Sequence, residues 1–261
     1  GVRPVGGAPC TLRVAPGPHA RFWDLFEARR WERPLLELMD AHLGPGDVFA
    51  DVGAWIGPTA LYAACLGAGV QAFEPDPAAH AMLRRNLELN PGPAGRITAH
   101  EAAVCAACGS LRLSAKSPGD STSSAVADHG GTSFEVAALD GPALFAAPPL
   151  DACALVKIDV EGGEYDLVPA LAPALSRTLP LLHLSLHPQF LAPAGGPGEG
   201  DAMARRTEAT RALLDALSCY PHMYVHDGRE WVRVSAEAAL ETAVLEQADN
   251  TLVCSRSPLG A

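Results

Sequence analysis

The chain is short of basic residues. Nineteen Lys and Arg face thirty Asp and Glu among 261 residues, a net charge of −11. A protein that tracks a phosphate backbone needs the opposite balance, so nucleic acid is disfavoured as a partner. No apolar run approaches the roughly 20 residues that cross a bilayer, which argues against a membrane protein. Gly1-Val2-Arg3-Pro4-Val5-Gly6-Gly7 lacks the apolar core of a signal peptide, so the expected location is the cytoplasm. Cysteine patterns are thin as well. The seven Cys are odd in number and scattered, which suits a reducing compartment better than a disulfide framework. Cys105-Ala106-Ala107-Cys108 has no second such pair and no His pair at zinc-finger spacing, and it reads as incidental. No internal repeat and no low-complexity block occurs.

The pyrophosphate-seating pattern G-x-G-x-x-G is missing too, and what stands in its place organises the chain. Val48 to Val52 is an apolar run of buried-strand length. It breaks at Gly53 and Gly57 and resumes as an Ala/Leu-rich helix to about Leu66. Glycines at a strand–helix corner let the backbone approach a ligand, and the helix N-terminus offers unpaired N–H groups. Asp51 precedes the first glycine. A carboxylate there would repel a pyrophosphate and suits a ligand with a positive end, such as S-adenosylmethionine with its sulfonium and ammonium. A plain Asp-Gly turn is the bland alternative.

With 48 % hydrophobic residues the chain is long enough for one large α/β domain. Residues 1 to about 18 read as an irregular arm rich in Gly and Pro. Arg21 to Leu43 reads as two helices, the second opened by Pro34, forming an N-terminal helical cap over residues 1–45 in front of a domain at 46–261. For Trp23 and Trp31, packing within the cap is favoured over a lid on the ligand. A second strand, Val70 to Phe73, ends at Glu74-Pro75-Asp76-Pro77. An acid at that tip, about twenty residues past the first glycine, can accept from both ribose hydroxyls, whereas Asp76 suits a helix N-cap. A helix from Ala78 to about Asn90 and a third strand from Ile97 to Val104 follow, with Glu101 and Ala102 placed to meet an adenine ring. Strands at Ser110–Ala115 and Phe134–Leu139 flank a polar loop, Lys116 to Ser124, read as surface loop in preference to a flap.

The other chemical stretch is Ala154-Leu155-Val156-Lys157-Ile158-Asp159-Val160-Glu161-Gly162-Gly163-Glu164, a strand ending in acids and a Gly-Gly turn before a helix to about Leu171. Ligands of open α/β sheets bind outside the carboxyl ends of strands. Like charges crowded there cost energy unless they meet a cation, a metal or a proton-transfer duty. Lys157 can neutralise one of them, and Glu164 also suits the first turn of a helix. Leu181 to Leu186 is a further strand tipped by His187, a candidate general base on the same side as Asp159 and Glu161. His183, inside the strand, reads as packed. A Gly/Pro loop at 193–200, a helix from Ala202 to Leu217, a hairpin at Met223–Val225 and Trp231–Val234, a helix or loop from Glu237 to Asp249 and a last strand at Thr251–Cys254 complete a seven-stranded, mostly parallel sheet with helices on both faces.

Three blocks together resemble the FkbM family of S-adenosylmethionine-dependent methyltransferases: Asp51-Val52-Gly53-Ala54-Trp55-Ile56-Gly57, Ala72-Phe73-Glu74-Pro75, and Val156 through Glu164. The resemblance spans roughly residues 45 to 190. It implies a Rossmann-like class I methyltransferase fold and O-methylation of a hydroxyl on a sugar or natural-product polyol. It also implies that Gly53 and Gly57 shape the methionine pocket, that Asp51 lies near the ammonium and that Glu74 holds the ribose; with the positions read above, donor contacts are expected among Asp51, Gly53, Ala54, Ile56, Gly57, Thr59, Glu74, Pro75, Glu101, Ala102 and Asp159. Many members carry Asn where this chain has Trp55. The catalytic candidates are His187, Asp159 and Glu161, and the same three residues are candidates for a divalent metal. A nicotinamide-dependent oxidoreductase and a non-catalytic binding protein on the same fold are the rival readings.

Overall fold

The computed structural model describes residues 10–121, 123–125, 130–191, 199–245 and 250–259. The chain enters through two helices, α1 (Ala20–Glu27) and α2 (Arg33–His42), then runs β1 (Val48–Val52), α3 (Pro58–Leu66), β2 (Gly69–Phe73), α4 (Pro77–Leu89), the single turn α5 (Pro91–Ala94) and β3 (Ile97–His100). A smaller unit follows: β4 (Ala103–Cys105), β5 (Gly109–Ala115) and β6 (Thr132–Asp140). After α6 (Gly141–Phe145) come β7 (Leu155–Ile158), α7 (Glu164–Thr178), β8 (Leu181–Leu186), α8 (Glu199–Ala216), β9 (His222–His226), β10 (Trp231–Val234), α9 (Ala236–Leu245) and β11 (Asn250–Ser255).

Among the described residues the main sheet has eight strands in the order β10-β9-β11-β8-β7-β1-β2-β3. The run from β3 to β8 is parallel, and β11 pairs antiparallel with both β8 and β9. The chain winds from β1 toward β3 on one side and through β7 and β8 on the other, so the switch in winding falls between β1 and β7. Two differences from the sequence reading stand out. The sheet has eight strands rather than seven, with both strands of the expected hairpin, β9 and β10, in it and β10 at its edge. The expected single strand Ile97–Val104 is two strands in two sheets. After His100 the chain leaves the main sheet, and β4 joins β6 and β5 in a separate three-stranded sheet.

Alternation along the central strands builds a core on each face. Ala50, Val52, Val156, Ile158, Leu182 and Leu184 pack toward α7 and α8. Phe49, Val70, Ala72, Leu155 and Leu181 pack toward α3 and the cap. Helix α3 (PTALYAACL) is apolar all round because it is covered on both sides; Pro58 through Ala64 are all buried. Above it, Phe26, Leu35, Leu36 and Met39 of the cap are fully buried, each stabilising by about 1.5–3 kcal/mol. The cap therefore shares its core with the sheet.

The segment before α1 is tied down. Arg13 N–H donates to Asn90 Oδ1 and Ala15 N–H to Asn86 Oδ1, both at 2.8 Å. A disulfide joins Cys10 to Cys65 of α3. This corrects the expectation of an all-thiol chain: Cys105, Cys108, Cys153, Cys219 and Cys254 are free, but Cys10 and Cys65 are paired across 55 residues, a proximity that only folding creates. Residues 1–9 of the expected arm, and most of the expected loop at 193–200, lie outside the described residues, as do 246–249 of the acidic segment. No described helix is long and apolar enough to cross a membrane.

Candidate active site

One cavity of about 730 Å³ opens where β1, β2, β7 and β8 end. Its floor is the corner after β1. Gly53 has φ +86°, and a Cβ there would collide with the Asp159 carbonyl oxygen, so the β1 and β7 ends meet only because residue 53 has no side chain. Trp55 also sits in the left-handed region, at φ +49°. Asn adopts that conformation readily, whereas for a bulky residue it is strained. The strain delivers a contact: the Trp55 N–H donates to Glu74 Oε2 at 2.7 Å. The Asp76 N–H donates to the other oxygen, Oε1, at 2.8 Å. Glu74 is thus pinned at the tip of β2, facing the cavity, with lone pairs to spare for further donors. Burial pushes its carboxyl up to about 7, against the two N–H bonds that favour the anion.

Across the sheet, Asp51, Lys157 and His183 stand in register on β1, β7 and β8. Asp51 has no exposed surface. Its Oδ2 accepts from Thr59 Oγ1 at 2.6 Å, and its Oδ1 lies 3.5 Å from Lys157 Nζ. Lys157 donates to the Gly53 carbonyl at 2.9 Å and lies 3.3 Å from Asp159 Oδ2. Burial opposes its charge, but Asp159, Asp51 and Glu32 together raise its pKa above the ordinary lysine value. Burial drives the Asp51 carboxyl upward, with Lys157 pulling it back. His183 is buried and, as expected, packed; burial lowers its pKa to about 3.

At the far side, His187 is gripped by Glu164, the first residue of α7 and fully buried. Glu164 Oε1 accepts the His187 backbone N–H at 2.6 Å and lies 3.2 Å from ring Nδ1, while Oε2 accepts from Gly162 N at 2.8 Å. The other ring nitrogen, Nε2, faces Asp159 Oδ1 at 3.6 Å and Glu161 Oε2 at 3.7 Å. Glu161 is held at φ +52°, and its carbonyl accepts from Ser124 Oγ at 2.6 Å. Burial opposes a charge on His187, but Glu164, Glu161 and Asp159 outweigh it and raise its pKa to about 9. Burial also pushes Glu161 up to about 7, whereas Lys157 and His187 overcome burial at Asp159 and hold its carboxyl below the usual range.

The roof was the least legible part. Trp31 and Phe22 of the cap line the cavity, in edge contact with each other at 5.0 Å, and Phe22 meets Trp55 at 4.7 Å. Trp23 packs as expected, but Trp31 is wall as well as packing. The loop expected to be bland surface is docked. Gly119 N–H donates to Asp76 Oδ2 at 2.9 Å, Trp55 Nε1 donates to the Gly119 carbonyl at 3.1 Å, and Ser124 is buried. Asp120, Ser121 and Ser123 reach the cavity; Thr122 is outside the described residues. Asp76 does two jobs, capping α4 through Ala78 and Ala79 and anchoring this loop.

Of the candidate residues, Gly53, Ala54, Thr59, Glu74, Pro75, Ala102, Asp159, Glu161 and His187 line the cavity. Four others do not, and each has a reason. Asp51 is buried behind the corner against Lys157, and Ile56 is fully buried in the core. Gly57 turns toward Leu83 of α4. Glu101 points outward to His80, at 3.3 Å. Asp51 touches Lys157 and Thr59, both of which reach the wall.

A parallel-rich sheet reversing between β1 and β7, closed by an antiparallel strand, with a glycine corner after β1 and an acid at the tip of β2, defines a class I methyltransferase fold. Within that class, the chain belongs to the FkbM methyltransferase family: the Methyltransferase FkbM domain matches residues 47–192. Among solved structures, methyltransferase FkbM from Methylobacillus flagellatus KT is similar at 16% identity and a TM-score of 0.45, over 93% of this chain and 56% of that one. This chain thus spans little more than half the length of that protein. A geranyl diphosphate C-methyltransferase from Streptomyces coelicolor A3(2) is similar at 11% identity and a TM-score of 0.44, over 94% and 86% of the two chains. A precorrin-6y C5,15-methyltransferase from Geobacter metallireducens GS-15 gives 14% and 0.39, over 85% and 89%. No curated protein matched the chain.

Proposed function

We propose that the protein is an S-adenosylmethionine-dependent O-methyltransferase acting on a hydroxyl of a small sugar or polyol. One observation carries the reading: the Gly53 corner, the pinned Glu74 carboxylate and the Asp159–Glu161–His187 cluster open into a single cavity. The residues fit the donor. Glu74 would hold the ribose, the backbone of Gly53 to Trp55 the methionine end, and the segment at Ala102 the adenine. When bound, the donor supplies an electrophilic methyl group on a sulfonium, which the acceptor oxygen takes as the carbon–sulfur electron pair stays on sulfur. An alcohol is a poor nucleophile; despite burial, the expected base His187 is favoured in its protonated form by Glu164, Glu161 and Asp159, so a carboxylate of the cluster would accept the proton. The cap and the docked loop roof the cavity, and aromatic faces at Trp31, Phe22 and Trp55 suit the C–H faces of a ring acceptor.

The cavity suits a nicotinamide dinucleotide poorly. Helix α3 opens with Pro58, which has no N–H, and the Gly57 N–H is already given to the Ala54 carbonyl at 2.9 Å. The corner thus offers few donors to a pyrophosphate, and the wall beside it carries acids. Calorimetric titration with S-adenosylhomocysteine, in parallel with NADH, tests the reading. Binding of S-adenosylhomocysteine at one site per chain is expected, with none for NADH. The reverse result would overturn the assignment, and binding of neither would favour a non-catalytic protein.

A further inference from the structure

We propose that Asp159, Glu161 and His187 form a divalent-cation site that opens onto the acceptor side of the cavity. One ligand atom from each lies within 4.8 Å of the other two. That spacing closes onto an ion with bonds of about 2.0–2.6 Å through small side-chain movements.

Three further features favour an ion over a simple charge cluster. The first is the aim of His187. Its Nδ1 is engaged by Glu164, which also binds the backbone N–H of the same residue, so the ring is oriented from behind. A carboxylate behind an imidazole is the usual support of a metal-binding histidine. The second is the separation at Nε2. At 3.6 and 3.7 Å from the two carboxylates, it is too far to be a hydrogen-bond partner of either. It faces the gap between them. The third is charge. Asp51, Asp159, Glu161 and Glu164 stand close to a single lysine, Lys157, and to His187. Even counting His187 with Lys157, four carboxylates face two basic groups at a largely buried strand end, an imbalance that a divalent ion offsets.

Exposure is graded in the same sense. The side chains of Glu161 and His187 are each 15% exposed and that of Asp159 is 29% exposed, whereas Glu164 is fully buried. The three ligands can be reached from the cavity, and their support cannot. Two carboxylates and one imidazole suit Mn²⁺, and Mg²⁺ as a harder alternative. With three protein ligands, all of them lining the cavity, an ion held there would keep room for further oxygen ligands. A hydroxyl placed there gives up its proton more readily, and a pair of neighbouring oxygens, as in a vicinal diol, fits better than an isolated alcohol.

This inference rests on the methyltransferase reading for its purpose, but its test is independent of turnover. Mn²⁺ binding to the full chain is followed by electron paramagnetic resonance and calorimetry, with S-adenosylhomocysteine titrated into the same sample. The expected result is one Mn²⁺ per chain, displaced by excess Mg²⁺. Glu161→Gln should weaken it at least about tenfold, His187→Ala similarly, and Glu164→Gln by about 10–100-fold although it removes no ligand. Thermal melts of each variant check folding, and the near-isosteric Glu161→Gln serves if His187→Ala fails to fold. Absence of Mn²⁺ binding, or binding that Glu161→Gln and every other folded variant leave unchanged, overturns the site. A chain that binds S-adenosylhomocysteine but takes up no Mn²⁺ overturns the cation alone, and a chain that takes up Mn²⁺ but does not bind S-adenosylhomocysteine overturns the methyl-donor reading alone.

Discussion

Lys157→Met is the most informative single change for stability. Met keeps most of the length of the side chain and removes the cation between two strand-end carboxylates. In the native protein Lys157 Nζ lies 3.5 Å from Asp51 and 3.3 Å from Asp159, and it donates to the Gly53 carbonyl. At an effective dielectric constant of about 20, each contact is worth about 5 kcal/mol of gross attraction, most of it offset by the cost of desolvating the charges. The net cost comes from what remains: Asp51, with no exposed surface, keeps only the Thr59 hydroxyl as partner. Removing one member of a buried pair typically costs about 3–5 kcal/mol. For a chain of this length, that is a fall in Tm of roughly 6–20 °C. Urea unfolding followed by circular dichroism measures it, with an unchanged m-value showing that stability alone has moved. Adding Asp51→Asn to Lys157→Met should recover at least about half the loss, because it removes the stranded charge. A loss below about 1 kcal/mol, or no recovery in the double variant, would refute the pairing and mean that Asp51 is protonated in the folded protein.

Two further expectations concern Glu74 and the disulfide. Glu74 has a folded-state pKa of about 7 against an ordinary 4.5, raised by burial. Its protonated form is therefore favoured by folding. The stability it contributes is full below about pH 4.5 and is lost, by about 3 kcal/mol, as pH rises through about 7. Glu74→Gln should flatten that part of the ligand-free stability-versus-pH curve; an identical curve would remove the buried carboxyl from the account. Ribose hydroxyls favour the anion, so S-adenosylhomocysteine binding near pH 6 should release protons, seen as a buffer-dependent heat that Glu74→Gln abolishes. For Cys10–Cys65, a closed loop of 55 residues corresponds to about 4 kcal/mol in the chain-entropy account. Peptide mapping without reductant should recover the linked pair, and reductant should lower Tm by roughly 8–16 °C. Free thiols at both positions in the folded, unreduced protein would refute the bridge.

The parts of the cavity wall legible in the chain are those that local pattern controls. The apolar run before Gly53-x-x-x-Gly57 is a strand turning into a helix, and residues at the last position of the parallel strands face the open end of the sheet. Glu74, Asp159, Glu161 and His187 were placed by that logic alone, and all reach the cavity. Strand β8 was read to its exact ends because an apolar run stopped at His187-Pro188. Each misplacement came from distance along the chain. Asp51 was expected on the ligand side, but it stands behind the corner beside Lys157, a residue 106 positions later, and does not line the cavity. The loop around Gly119 is polar and reads as surface, but Asp76 and Trp55 hold it over the cavity. Trp31 belongs to a helical cap whose position relative to the strand ends no local pattern encodes, and the Cys10–Cys65 bridge depends on the arm running back across α3. The splitting of Ile97–Val104 between two sheets is of the same kind, because a strand's partner is chosen by packing and register, and the periodicity of its own residues is the same in either sheet.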